Sequence, residues 1–192
     1  MVTTVLIALG SNLPSPDGPP ATTVVAALAA LGALGGAVTP SRLWRSPAWP
    51  PGGPPYVNAA ARMETDLPPE TLLGRLHDIE ATFGRRRGER WAARVLDLDL
   101  LAWGGMVRPD AETQAAWRNL DPERQGRETP ATLILPHPRM QDRGFVLAPL
   151  AEVAPDWRHP LTGRTVREML DALPPAALDG LEPLPPGQGR PG

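Results

Sequence analysis

The run RVLDLDLLAW, residues 94–103, sets two carboxylates inside an otherwise apolar stretch. As a strand it sends Leu96, Leu98 and Leu100 to one face and Val95, Asp97, Asp99 and Leu101 to the other. Same-face residues two apart lie roughly 7 Å from one another along the backbone, so the two anions repel unless something positive lies between them. A divalent cation on Asp97 and Asp99 is the simplest such partner; the alternative is a half-exposed strand whose aspartates face water. Just upstream, GRRRGERWAAR (84–94) crowds Arg85, Arg86, Arg87 and Arg90 into a glycine-broken segment and ends on Arg94. Such a segment repels itself unless it meets anions. Guanidinium groups that grip phosphate, beside carboxylates that grip Mg²⁺, are the components of phosphoryl transfer.

Other chemistry-bearing residues are scattered. His137 stands between prolines in LPHPRMQDRGF, followed by Arg139 and Arg143. With no second histidine at ligand spacing, it reads as a hydrogen-bond donor to phosphate rather than a metal ligand, or as a structural residue of a rigid turn. Tyr56 and Asn58 share a face by their two-residue spacing, and Phe145 follows Arg143. An aromatic ring with an amide suits a flat heterocycle, although an ordinary strand pair reads the same way. Trp91, inside the arginine segment, could exclude water on closure. His77 and His159 have no such setting and receive no role.

The bulk composition removes several alternatives. All 19 basic residues are arginine, so a Walker A lysine, a kinase strand lysine and a Schiff-base lysine are all absent. With no cysteine there are no disulfides, thiolate metal sites or thiol nucleophiles, and a cytoplasmic home is expected. The apolar run Val24–Leu34 is too short for a bilayer, and no basic residue precedes Arg42 to mark a signal peptide. A net charge of −2 argues against broad nucleic-acid binding. An RNA-binding module would also need a basic, aromatic-rich third strand, and Tyr56–Thr65 offers one aromatic and one arginine.

These residues need elements to position them. TTVLIAL (3–9) reads as a strand ended by Gly10-Ser11-Asn12, and Pro20 opens a helix through Leu34 closed by Gly35-Gly36. Arg42–Arg45 and Tyr56–Thr65 read as the next strands. A helix follows, with Leu72, Leu73, Leu76, Ile79 and Phe83 at helical spacing, Pro68 and Pro69 in its first turn and Gly84 at its end. The aspartate strand comes next. Strand, helix, strand, strand, helix, strand is the order of an α+β, ferredoxin-like antiparallel sheet covered by helices on one face. Gly104-Gly105 is expected to turn an extra hairpin through Met106–Arg108, and Thr132–Leu135 to form a short strand. Residues 109–131 read as an insertion or long loop. C-terminal helices at about 145–153 and 165–173 complete one domain over 1–173, and the Pro/Gly-rich tail 174–192 is expected to be disordered.

Taken together, GSN after the first strand, YVNAA on the third, IEATFGRRRGERWAARVLDLDLL and LPHPRMQDRGFVLAPL resemble the 6-hydroxymethyl-7,8-dihydropterin pyrophosphokinases of folate synthesis, over residues 4 to about 160. The resemblance implies Mg²⁺-dependent transfer of the β,γ-diphosphate of ATP to the pterin hydroxymethyl group, with AMP released. By residue match it implies that Asp97 and Asp99 hold two Mg²⁺ ions, and that Arg85 and Arg94 neutralise the transferring groups. Glu80, Arg87, Arg94, His137 and Arg143 fall at ATP-site positions. Tyr56 and Phe145 would sandwich the pterin, Asn58 read its edge, and Ser46, Pro47 and Trp91 line its pocket. The chain departs from the family at Ala92-Ala93, where Gly-Pro is common, and in the 109–131 insertion, where Arg127 is the candidate ATP contact. A monomer binding only its small-molecule substrates is the expectation, with no nucleic acid and no membrane.

Overall fold

The apolar run at the start of the chain becomes an interior strand of the sheet, β1 (Thr3–Ser11), in the computed structural model, which describes residues 1–16, 18–48, 51–84 and 95–187. Val5 to Leu9 are all apolar because both faces of the strand are covered there. Val5, Ile7 and Leu9 point into one core and Leu6 and Ala8 into another. β1 pairs antiparallel with β4 (Tyr56–Thr65) on one side and with β5 (Asp97–Trp103) on the other. Two short strands, β2 (Val38–Pro40) and β3 (Trp44–Ser46), pair with the far side of β4, and β6 (Glu182–Pro183) pairs with β3. The six-stranded sheet runs β5-β1-β4-β3-β6, with β2 also on β4, and every pairing is antiparallel.

The first core lies under α1 (Pro20–Gly32) and α2 (Pro69–Thr82). Each helix opens with proline in its first turn, where the missing N–H would have had no helical partner anyway. Val24, Ala27 and Leu31 of α1 and Leu72, Leu76 and Ile79 of α2 pack on Ile7, Met63, Leu98 and Leu100. The second core lies under α5 (Gly144–Val153) and α6 (Val166–Asp171), whose Leu147, Leu150 and Met169 meet Leu6, Ala60 and Leu101. Helices therefore cover both faces of the sheet, where the element order suggested one. A capping box starts α6: Glu168 N–H donates to Thr165 Oγ1 at 3.1 Å and Thr165 N–H to Glu168 Oε2 at 2.8 Å.

Several expectations need correction. The strand expected at 42–45 forms at Trp44–Ser46, and an unexpected strand at Val38–Pro40 precedes it; between the two, the Ser41 hydroxyl accepts the Ala60 N–H at 2.9 Å. The hairpin expected at 104–108 and the strand at 132–135 shrink to a single bridge in which Arg108 and Leu135 exchange backbone hydrogen bonds of 2.9 and 3.2 Å. Pro109 and Pro136 follow those two residues, and a proline has no N–H with which to extend a ladder. The insertion is not a loop. It holds α3 (Ala111–Arg118) and α4 (Pro122–Arg127), capped by Asp110 and Asp121, whose carboxylates accept from Thr113 N–H at 2.8 Å and Arg124 N–H at 2.9 Å. Part of the tail is ordered as well: Pro175–Ala177 form a 3-10 turn, and β6 joins the sheet. Residues 188–192 lie outside the described residues.

His159, given no role from sequence, is fully buried in the turn before α6, where its Nδ1 accepts from Leu161 N–H at 3.2 Å and Thr162 N–H at 3.4 Å. Burial, reinforced by Arg118, lowers its pKa from 6.5 to about 4. Between those values the unfolded chain takes up a proton that the folded chain refuses, so acidification through this window favours unfolding, and above 6.5 the effect is absent. The melting temperature should hold level above that pH and fall below it, and His159→Gln should remove about one proton from the pH slope.

Candidate active site

Cross-strand register brings the chemistry together. Gly10 of β1 stands opposite Asp97 of β5 and Asn58 of β4, Ala8 stands opposite Asp99 and Ala60, and Asn58 and Tyr56 stand opposite Trp44 and Ser46 of β3. Residues directly opposite share a face. Ala8 and Ala60 belong to the core under α5, so Asp97, Asp99, Asn58 and Tyr56 all project on the α5 side of the sheet. A β-bulge shifts the β1–β5 pairing between Leu6 and Ile7, beyond the aspartates, and leaves their alternation intact. Gly10 is the space between the two halves: a Cβ there would stand 3.5 Å from Asn58 Oδ1 and 3.7 Å from Tyr56 Cδ1, so any larger side chain would fill the gap above the row.

Where β3 meets β4, Asn58 Nδ2 donates to Ser46 Oγ at 2.9 Å, and both residues are buried. Asn58→Leu would strand the Ser46 hydroxyl and should cost about 1–3 kcal/mol in urea denaturation. Part of that loss should return in the Asn58→Leu/Ser46→Ala double variant; additive losses would contradict the pairing.

Helix α5 begins at Gly144 and so covers only part of this face, leaving Asp97 and Asp99 half-exposed at its mouth. Arg143 precedes the helix. Its Nη1 lies 3.9 Å from Asp99 Oδ2, and its guanidinium carbon sits 5.7 Å from the centre of the Phe145 ring. One planar cation thus spans the carboxylate and the aromatic. The loop after Leu135 is fastened to the free edge of β5 by His137 N–H, which donates to Leu101 O at 2.8 Å. His137 Nδ1 accepts from Arg139 N–H at 3.2 Å, which leaves the ring proton on Nε2. Burial first, then Arg143 and Arg139, push the His137 pKa down to about 3 against the opposing pull of Asp97. The imidazole is therefore neutral, with its proton on Nε2.

Glu80, at a position the resemblance matched to the ATP site, lies inside the fold. It is 1 % exposed, and its Oε1 accepts the Leu98 N–H at 2.8 Å. That N–H leaves the open edge of β5 between the two aspartates, so Glu80 blunts the edge and holds the strand that carries them. Arg85, Arg87, Trp91 and Arg94 lie outside the described residues. Sequence reasoning missed Glu152 of α5, which accepts from Arg42 N–H at 2.9 Å and from Trp44 Nε1 at 3.0 Å and so ties β3 to α5. A lone glutamate in an apolar helix was the available signal.

The donor set fits Mg²⁺. Asp97 and Asp99 supply hard oxygen, and among the described residues no group of three acidic, histidine or cysteine side chains gathers to form a closed cage. Magnesium is commonly held in this way, by one or two carboxylates with water and substrate phosphates completing its shell.

Residues 6–155 match the model of the 7,8-dihydro-6-hydroxymethylpterin-pyrophosphokinase (HPPK) family. The 2-amino-4-hydroxy-6-hydroxymethyldihydropteridine pyrophosphokinase of Pseudomonas aeruginosa is 39% identical over 188 residues, 96% of this chain and 99% of that protein. The protein of the same name from Synechocystis is 35% identical over 184 residues, covering 95% of this chain and 80% of the relative. In structure, the chain resembles Plasmodium falciparum HPPK-DHPS with a TM-score of 0.59 at 12% identity, over 89% of this chain and 44% of that longer one, a likeness that shows the fold. Since the family match runs from β1 through the aspartate strand to the end of α5, and relatives align over nearly the whole chain, the chain belongs to the 7,8-dihydro-6-hydroxymethylpterin-pyrophosphokinase family.

Proposed function

We propose that the sheet face bearing Asp97, Asp99, Arg143, Phe145 and Asn58 transfers diphosphate from ATP to the hydroxymethyl group of 6-hydroxymethyl-7,8-dihydropterin, the pyrophosphokinase step of folate synthesis. The hydroxymethyl oxygen bonds to the β-phosphorus, the bond from that phosphorus to the α–β bridging oxygen breaks, AMP leaves, and the hydroxyl proton is released. The observation that carries this reading is the juxtaposition itself: carboxylates with Arg143 on one side of the Gly10 gap, Tyr56 and Asn58 on the other.

In-line displacement at phosphorus asks for placement and charge neutralisation more than for covalent help. Asp97 and Asp99 would hold Mg²⁺, which when bound neutralises phosphate oxygens. Arg143, within reach of Asp99, would share in neutralising the phosphates, and His137 would donate its Nε2 proton to one of them. Arg85, Arg87 and Arg94 would supply further positive charge. Tyr56 and Phe145 would hold the pterin ring between them, Asn58 would read its edge from the support of Ser46 and Pro47, and Trp91 would shield it from water. Glu80 would act through the strand it holds. No helix among the described residues is long and apolar enough to cross a membrane. A cytoplasmic monomer needing only its two substrates and Mg²⁺ completes the reading.

The test is to incubate the purified chain with ATP and Mg²⁺, with and without the pterin, and resolve the nucleotides. Pterin-dependent AMP in equal amount to pterin diphosphate is expected. ADP as the product, or AMP formed regardless of pterin, would overturn the assignment.

A further inference from the structure

The segment after α6 touches both walls of the pterin side of the site. Against the first wall, β6 extends the sheet beyond β3, and Leu184 N–H donates to Leu43 O at 2.8 Å. Arg45 Nη1 lies 3.5 Å from Glu182 Oε1. Gly180, at φ 69°, comes so close to Pro47 that a Cβ would stand 2.9 Å from its Cγ. On the second wall, the Ala177 carbonyl lies so near Gly144, the first residue of α5, that no side chain could fit there, and Leu178 packs beside it. A cavity of about 540 Å³ opens where the segment meets the β3 corner, lined by Ser46, Pro47, Gly53, Pro55, Gly180 and Glu182.

We propose that residues 177–184 are a positioning strap for the pterin side of the site, holding the Ser46–Pro47 corner and the start of α5, where Phe145 stands, at a fixed separation. This rests on the proposed function. β3 is three residues long, and without β6 it would be the last strand of the sheet, a place where short strands fray. Fraying would withdraw Ser46 from Asn58 and loosen the wall facing Phe145. Asp97 and Asp99 sit on β5 at the opposite edge, separated from β3 by β1 and β4, and the strap meets the phosphate side only at Gly144, next to Arg143, so its larger effect should fall on pterin recognition.

The experiment compares the full chain with a chain ending at Pro174 and, in case that truncation destabilises the fold, with the full-length Gly180→Val, which forces a side chain against Pro47 at a left-handed backbone position. The KM for the pterin should rise about tenfold in both, with kcat and the KM for ATP within about threefold of the parent, the scale expected when a binding wall shifts by a fraction of an ångström. Amide hydrogen exchange at residues 43–46 and 58 should quicken in step. Unchanged pterin KM in both variants, or equal losses for ATP and pterin, would overturn the strap. If the parent chain forms no pterin-dependent AMP, the proposed function fails and exchange alone decides: unchanged protection at residues 43–46 rejects the strap, and lost protection upholds it as an element of the β3 corner.

Discussion

Asp97→Ala is expected to lower Mg²⁺-dependent AMP formation by roughly 10³-fold, the loss of about 4 kcal/mol of transition-state stabilisation when a metal ligand is removed. The fold should survive. Asp97 is half-exposed on the free-edge strand opposite Gly10, so truncation opens no buried cavity, and it relieves the repulsion between Asp97 and Asp99. Strand β5 keeps its pairing with β1, and Leu98 keeps its bond to Glu80. The measurement pairs initial rates over a Mg²⁺ titration with a thermal melt of the same preparation. Activity within a few fold of the parent would remove Asp97 from the metal site. Lost activity accompanied by an unfolded chain would mean that the carboxylate serves the fold.

Arg143→Ala is expected to cost about 10²-fold or more in kcat/KM, in the range seen when one donor aimed at developing charge is removed. Arg143 is the group that spans both halves of the site, 3.9 Å from Asp99 Oδ2 and 5.7 Å from the Phe145 ring centre. As a half-exposed ion pair the contact with Asp99 adds little stability, so the melting temperature should barely move. Arg143→Lys separates charge from shape. A lysine restores a point charge but neither the planar stacking nor the fork, and should remain at least about tenfold below the parent. Full recovery in the lysine variant would reduce the role of Arg143 to bulk electrostatics, and an alanine variant with parental kcat/KM would remove it from the site.

The alternation DLDLL was sufficient to separate a leucine face from an aspartate face, and in the structure Leu98 and Leu100 enter the core under α2 while Asp97 and Asp99 stay at the surface. Punctuation served well for the helices: Pro20 and Pro69 open α1 and α2 near where they were expected. The insertion was misread because its helices bury little. Of α3 only Gln114 is buried, so the apolar periodicity that normally announces a helix is missing, although the caps Asp110 and Asp121-Pro122 were there to be read. The tail was misread for a different reason. Proline and glycine content suggests disorder when local propensity is weighed alone, yet Gly180 is what lets the chain lie against Pro47, and its φ of 69° suits glycine.

Residue type and local spacing alone determined β1, α1, β4, α2 and β5 in order, the two-faced character of the aspartate strand, the exclusion of lysine and cysteine chemistry, and the motifs that mark the family. These are properties of near neighbours, and side-chain periodicity reports them directly. Only the tertiary structure decided which distant residues meet. Register set Gly10 between Asp97 and Asn58, α5 arrived to bring Arg143 over Asp99, Glu80 turned inward to Leu98, and β6 closed on β3. Long-range pairings of this kind depend on how the sheet faces pack against α2 and α5, and no local pattern in the sequence encodes that packing.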